Sequence, residues 1–294
     1  MIDRRATLAG LVGAAALLPA GLARAAAPPT ARAVFAAIRA ASGQKWDPNP
    51  TDDRIIFGDR DAPVTGIATC FTAGIDVLRR ASAAGLNYII PHEASFYERY
   101  DDFAESVLPD NDPVLLAKQH LLTGNRMVIQ RMHSHAHSRP GDAIMTGLLR
   151  QLGWEQYRPA DKPGMPWVQL PQPASALVLG QYIKARLGRR TMRLFGDPQR
   201  PVTSISVSAG MPGENAQIQQ LESGADAVLL GEVREPEVLG YAQDMADSRG
   251  VAVYLSGHTG EDPGMGILAE WLQGVFPALP VKWLPMTDPY TNPA

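Results

Sequence analysis

From about residue 30 onward the chain alternates short apolar runs with stretches of helical spacing, and this alternation limits the folds open to it. Apolar runs at 64–71, 86–90, 127–132, 191–195, 202–207, 227–230 and 251–255 read as strands. Helical patterns at 73–84, 113–122, 143–152, 175–187, 216–222, 238–246 and 265–275 separate them, and Thr30 is placed to cap a first helix through Ile38. Strands spaced by helices of this length need crossover connections, which predicts an α/β protein with mostly parallel sheets. Five prolines, Pro159, Pro163, Pro166, Pro171 and Pro173, crowd residues 155–173. That crowding predicts a connection between two lobes, residues 28–160 and 161–294. No solenoid-length repeat is present.

Residues 1–27 read as a targeting segment. Arg4-Arg5 precedes a run of Ala, Gly, Leu and Val up to Leu18, and an Ala-rich exit follows Pro19. A charged start, an apolar middle and a small-residue exit are the parts of a secretory signal, and the arginine pair is twin-arginine-like. The apolar run is short against the roughly 20 residues a membrane span needs. The expectation is a periplasmic or secreted protein, with no membrane attachment after signal removal. The formal charge of -3 and the lack of like-charge blocks give no footprint for nucleic acid. The single cysteine, Cys70, lies in an apolar run, so no intrachain disulfide can form and a buried core position is expected.

The polar residues mark where chemistry gathers. The run at 86–90 leads into His92-Glu93, and that at 127–132 into His133, His135, His137, Arg139 and Asp142. The run at 227–230 leads into Gly231-Glu232, and that at 251–255 into His258 and Glu261. Five of the six histidines therefore sit at carboxyl ends of predicted strands, where open α/β sheets build their sites. The sixth, His120, lies inside a predicted helix. His133, His135 and His137 alternate, so a continuing strand would place all three on one face. Imidazole and carboxylate without thiolate suit zinc, manganese or iron. A single catalytic zinc needs only about three protein ligands. The surplus here points to two divalent ions about 3.5–4 Å apart. The candidate ligands are His92, Glu93, His133, His135, His137, Asp142, His258 and Glu261. Glu232 is the candidate proton-moving carboxylate, and Arg139 the candidate grip on an anionic substrate group.

These elements resemble the Nif-three-like family, also known as dinuclear-metal-centre proteins and GTP cyclohydrolase type 2 homologues. The resemblance spans roughly residues 50–275 and rests on short elements. The family's His-His-Pro element corresponds to Pro91-His92-Glu93. Its histidine-threonine element with an aspartate four residues on corresponds to His133-Ser134 and His137, before a helix ending Leu152-Gly153. Its late Gly-Glu pair is Gly231-Glu232, and its Gly-His element is Gly257-His258 with Glu261 behind it. Glu93 stands where the family has a second histidine, His137 where it has the aspartate, and the gap from His258 to Glu261 is one residue shorter. The resemblance implies two similar α/β lobes with the metal pair between them, in a hexameric homo-oligomer.

The resulting expectation is an exported metal-dependent hydrolase. Metal-bound hydroxide would act on a small-molecule ester, phosphate or cyclic amide. The alternative is a non-catalytic periplasmic protein that stores or relays metal. A third reading, an amidohydrolase or metallo-β-lactamase-like fold, lacks its downstream histidines, because only His258 follows His137.

Overall fold

The computed structural model describes residues 27–47, 52–101, 106–138, 142–159 and 167–293. The predicted targeting segment lies outside the described residues apart from Ala27, and so does Arg139. Among the described residues no helix is long and apolar enough to cross a membrane.

The chain forms two five-stranded sheets. The first contains β1 (Ile55–Phe57), β2 (Ile67–Cys70), β3 (Tyr88–Pro91), β4 (Val128–Gln130) and β10 (Val281–Trp283), in the order β1-β4-β3-β2-β10. The second contains β5 (Trp167–Ser175), β6 (Arg193–Phe195), β7 (Pro201–Val207), β8 (Ala227–Leu230) and β9 (Ala252–Leu255), in the order β5-β7-β8-β9-β6. The central strands of both are parallel, and among the named strands of the described residues the antiparallel pairs lie at the edges, at β1, β5 and β6.

Helices α1 (Ala31–Ser42), α2 (Ile75–Ala83), α3 (Pro113–Gly124), α4 (Ser134–His137) and α5 (Ala143–Leu152) connect or flank the first sheet. Helices α6 (Ala176–Arg186), α7 (Glu214–Leu221), α8 (Gly240–Arg249) and α9 (Asp262–Val275) follow. Thr30 caps α1 through its side chain, which accepts from the Ala33 amide, as its placement predicted.

The period-two alternation of each strand separates two apolar layers per sheet. In the first sheet Ile67, Tyr88, Ile90 and Val128 face α1 and α9, while Ala68, Cys70, Ile89 and Ile129 face α2 and α3. In the second, Ile205, Val207, Leu229 and Tyr254 pack under α6, and Val228, Leu230, Val253 and Leu255 under α8. Strands covered on both faces must be apolar throughout, which is why they read as unbroken runs. Cys70 is fully buried, and burial pushes its thiol far above the ordinary range.

Two boundaries differ from the sequence reading. The proline-rich stretch is not all connection, because its end forms β5, which carries Pro171 and Pro173. Proline lacks an amide to donate, and β5 tolerates two because it is a sheet edge with a register shift between Gln169 and Ala174. The division into 28–160 and 161–294 also fails at the C-terminus. Strand β10 returns to the first sheet and pairs parallel to β2, with Val281 opposite Ile67 and Trp283 opposite Thr69. The apolar faces of Val281 and Trp283 pack on the first core, and that burial outweighs chain order.

The lobes are joined through α5 and α9. Ile144 of α5 belongs to the first core and Leu148, Leu149 and Leu152 to the second. Gly147 and Gly264 bring the two helices together so closely that a Cβ on Gly147 would lie 2.4 Å from the Gly264 Cα. Overpacking of this kind costs about 1–3 kcal/mol. Gly147→Val should therefore lower the unfolding free energy by about 2 kcal/mol or more in urea titration. Gly274→Ala, where an added Cβ meets nothing within 4 Å, should leave it unchanged or raise it by about 1 kcal/mol. Equal stability of the Gly147 variant and the native chain would sink this account of the junction.

Candidate metal centre

Each side chain of the cluster leaves the carboxyl end of a parallel strand. His92 and Glu93 follow β3, His133 and His137 follow β4, Glu232 follows β8, and His258 and Glu261 follow β9. His92 is fully buried. Its Nδ1 faces the Met132 carbonyl at 3.2 Å and its Nε2 faces Glu261 Oε2 at 3.2 Å. Glu93 Oε1 lies 3.3 Å from His133 Nε2 and 3.5 Å from His258 Nε2. Glu261 Oε2 is 3.4 Å from His258 Nε2, and its Oε1 is 3.9 Å from His137 Nε2. The rings of His92 and His133 stack at 4.5 Å.

Two overlapping donor groups result, His92 with His133 and His137, and His92 with Glu93 and Glu261. Within each, one ligating atom per residue lies within 4.8 Å of the others. His92 Nε2 and Glu261 Oε2 are buried and make no hydrogen bond. A buried polar atom left without a partner costs about 1–3 kcal/mol. A buried ring nitrogen facing a buried carboxylate oxygen in this way fits a cation held between them.

Three of the expected residues take other positions. Residues after β4 leave the strand direction and form the single turn α4, so His133 and His137, four apart, share a side and His135 points away. His135 stacks on Trp46 at 3.7 Å, its Nδ1 meets Asp53 Oδ2, and its Nε2 faces the Lys45 carbonyl at 3.3 Å. It is thus outside the cluster. Asp142 sits behind His137, with Oδ1 3.5 Å from Nδ1. That same oxygen accepts from the Ile144 and Met145 amides at the start of α5, so Asp142 caps a helix and orients a neighbouring ring. Glu232 Oε2 holds His258 Nδ1 at 2.9 Å and is half-exposed, the arrangement of a carboxylate that sets the tautomer of a ligating histidine. His120 is exposed on α3, as its helical setting predicted.

Sequence reasoning missed the residues that hold the ligands. Asp53 is buried, and its carboxylate accepts the backbone amides of both His133 and His135. Arg131 is buried and donates to the carbonyls of His92 (3.1 Å) and Arg99 (2.5 Å) and to Glu93 Oε2 (3.2 Å), so only Oε1 of Glu93 turns to the histidines. Gly210, with φ +59°, gives Glu261 its space, since a Cβ there would lie 1.8 Å from Oε1. The acidic pair Asp52-Asp53 ahead of β1 and a lone arginine in an apolar run were the available signals.

Electrostatics follow from the packing. Burial opposes charge on Glu93, but His133 and His258 hold its carboxyl far below the usual range. Burial likewise opposes charge on Glu261, yet His258 and His92 bring it down to about 2. His258 loses by burial and gains more from Glu261, Glu93 and Glu232, which raise it to about 11. Burial also weighs against a charged His137, and Asp142 reverses the balance.

These features define an α/β protein of two linked sheets with a histidine and carboxylate cluster of metal-ligand type at their facing strand ends. The chain belongs to the Duf34/NIF3 (NGG1p interacting factor 3) family, whose profile matches residues 35–289. It is 26% identical over 211 residues to the GTP cyclohydrolase 1 type 2 homolog of Escherichia coli K12, covering 71% of this chain and 79% of that protein. Its fold is similar to that of a Bacillus cereus protein related to NIF3, with TM-score 0.69, 15% identity, and 90% and 99% of the two chains covered. Staphylococcus aureus protein SA1388 is similar at TM-score 0.68 and 17% identity, with the same coverage.

The pH dependence of the metal-free protein follows. A histidine raised from 6.5 to about 11 stabilises the fold fully below pH 6.5, and this contribution is lost as pH rises toward 11. A glutamate lowered from 4.5 to about 2 stabilises above pH 4.5 and is lost as pH falls toward 2. The melting temperature of chelator-treated protein should therefore be highest between about pH 4.5 and 6.5 and fall toward pH 9. In His258→Gln the alkaline decline should shrink, and an unchanged decline would count against the ion-pair assignment.

Proposed function

We propose that the cluster binds two divalent metal ions and that the protein uses them to hydrolyse a small molecule. The observation that carries this reading is the pair of overlapping donor groups sharing His92, with facing buried atoms on His92 and Glu261 that make no hydrogen bond. Imidazole and carboxylate donors suit zinc, manganese or iron. His133 and His137 would hold one ion with His92, and Glu93, Glu261 and His258 the other. Ions of this kind polarise a substrate oxygen and bring the pKa of water toward about 7.

The chain's own residues supply the rest. Arg131 holds one oxygen of Glu93 and leaves the other for the cluster. Asp53 fixes the turn that presents His133 and His137. Glu232 would keep the Nδ1 proton of His258 while an ion displaces the one on Nε2, and as a half-exposed carboxylate it can pass a proton to solvent. A cavity adjoining His258 and Glu232 favours turnover over simple storage of metal. The ester, phosphate or cyclic amide class, a homo-oligomeric hexamer, and a periplasmic or secreted setting complete the proposal. The N-terminal pattern supports the last. The cyclohydrolase wording of the relatives' names agrees with hydrolysis at a cyclic amide.

If the proposal holds, elemental analysis of the purified protein should find about two ions per chain. The double variant His92→Ala/His258→Ala should lose most of them, and equal stoichiometry in both would end the metal assignment. Turnover on an ester, phosphate and cyclic-amide panel should vanish on chelation and return with metal. Activity that survives complete metal removal would end the hydrolytic one.

A further inference from the structure

A cavity of about 740 Å³ opens beside His258 and Glu232, within the range of small-molecule sites. Phe71, Met192, Met286 and Tyr290 supply apolar wall, and Arg189 lies in the same lining. The outer wall comes from the segment after β10, which crosses back to the second lobe. Asp288 holds it there by accepting the Arg190 amide at 2.6 Å, while its own carbonyl accepts from the Arg190 guanidinium at 3.2 Å.

The charges in this cavity are unevenly spent. Arg193 is ion-paired with Glu235 at 2.6 Å. Arg189 is half-buried, and among the described residues its hydrogen bond goes to the Thr259 carbonyl, next to His258. Its Nε is buried without a partner. Two carboxylates lie near enough to act on it, Asp288 and Asp262, but both use their oxygens elsewhere. Asp288 accepts from the Arg190 and Tyr290 amides, and Asp262 from Trp283 Nε1 and the Met286 amide. The guanidinium is therefore tethered at one end, lacks a hydrogen-bonded carboxylate, and keeps donors in hand. A fixed planar fork with unspent N–H groups matches the two oxygens of a carboxylate or phosphate.

We propose that this cavity binds a small oxyanion with an apolar body, its anionic group held by Arg189 and its reactive end toward His258. The proposal builds on the reading of the cluster as a hydrolytic metal centre, and it gives that centre a substrate class. It also assigns to Arg189 the grip that the sequence reading gave to Arg139.

The test is calorimetric titration of the purified protein with inorganic phosphate, with benzoate, and with benzamide as the neutral counterpart of benzoate. Metal content and melting temperature are measured on every sample. At least one of the two anions should bind saturably, and which one does identifies phosphate or carboxylate as the recognised group. Benzamide should bind at least tenfold more weakly than benzoate if benzoate is the ligand. Arg189→Gln should weaken anion binding at least tenfold with metal content unchanged, and Arg189→Lys, which keeps the charge and guards against a folding defect, should retain an intermediate affinity. Native affinity in Arg189→Gln overturns the proposal, and so does loss of metal alongside loss of anion binding. Failure of both anions to bind at millimolar concentration overturns it as well. Arg189-dependent anion binding without turnover on any substrate would leave the pocket standing and remove the hydrolase. Turnover of charged and neutral substrates indifferent to Arg189→Gln would do the reverse.

Discussion

Glu261 of the second lobe meets His92 of the first at 3.2 Å, both buried, with no hydrogen bond to satisfy the facing atoms. The rest of the site is arranged around this meeting. Buried charge is costly unless it is paired, and here the pairing spans two sheets. His258, Glu93 and His137 complete the network from both sides, so the cluster is a junction between lobes as well as a donor set. The close helix contact at Gly147 and Gly264 brings the lobes near enough for it, and Gly210 leaves the volume Glu261 needs.

Around the donors lies a shell of residues whose work is aim. Arg131 divides Glu93 into an oxygen tied to the guanidinium and an oxygen left for the histidines. Asp53 gathers two backbone amides and the ring of His135, which converts His135 from a donor into a clamp stacked on Trp46. Glu232 and Asp142 each stand behind a histidine ring. Partners of this kind fix tautomer and orientation, and their loss costs affinity even though they touch no ion.

The site is asymmetric in its access. His92 and Glu261 are sealed, whereas His258 and Glu232 open on a cavity whose outer wall is the returning C-terminal segment. Strand β10 makes this possible, because its pairing with β2 carries the chain back to the first sheet and its continuation then crosses the mouth of the second.

Much of this was legible in sequence. Strands covered on both faces have to be apolar along their whole length, so 227–230 and 251–255 announced themselves within a residue of β8 and β9. Their polar successors marked the facing ends, and the order of His92, His133, His258 and Glu261 gave the family resemblance. Three features were out of reach. A short edge strand such as β1 or β10 has too little pattern to detect, and β5 hides behind prolines that only an edge position tolerates. The turn at Ser134–His137 reversed the fate of His135, because alternation means a shared face in a strand and opposite faces in a helix. Local order alone determined the layers, the strand ends and the residue types available there. Which donors converge, which are diverted into clamps, and how the two lobes meet depended on distances between residues far apart in the chain, and only tertiary packing sets those.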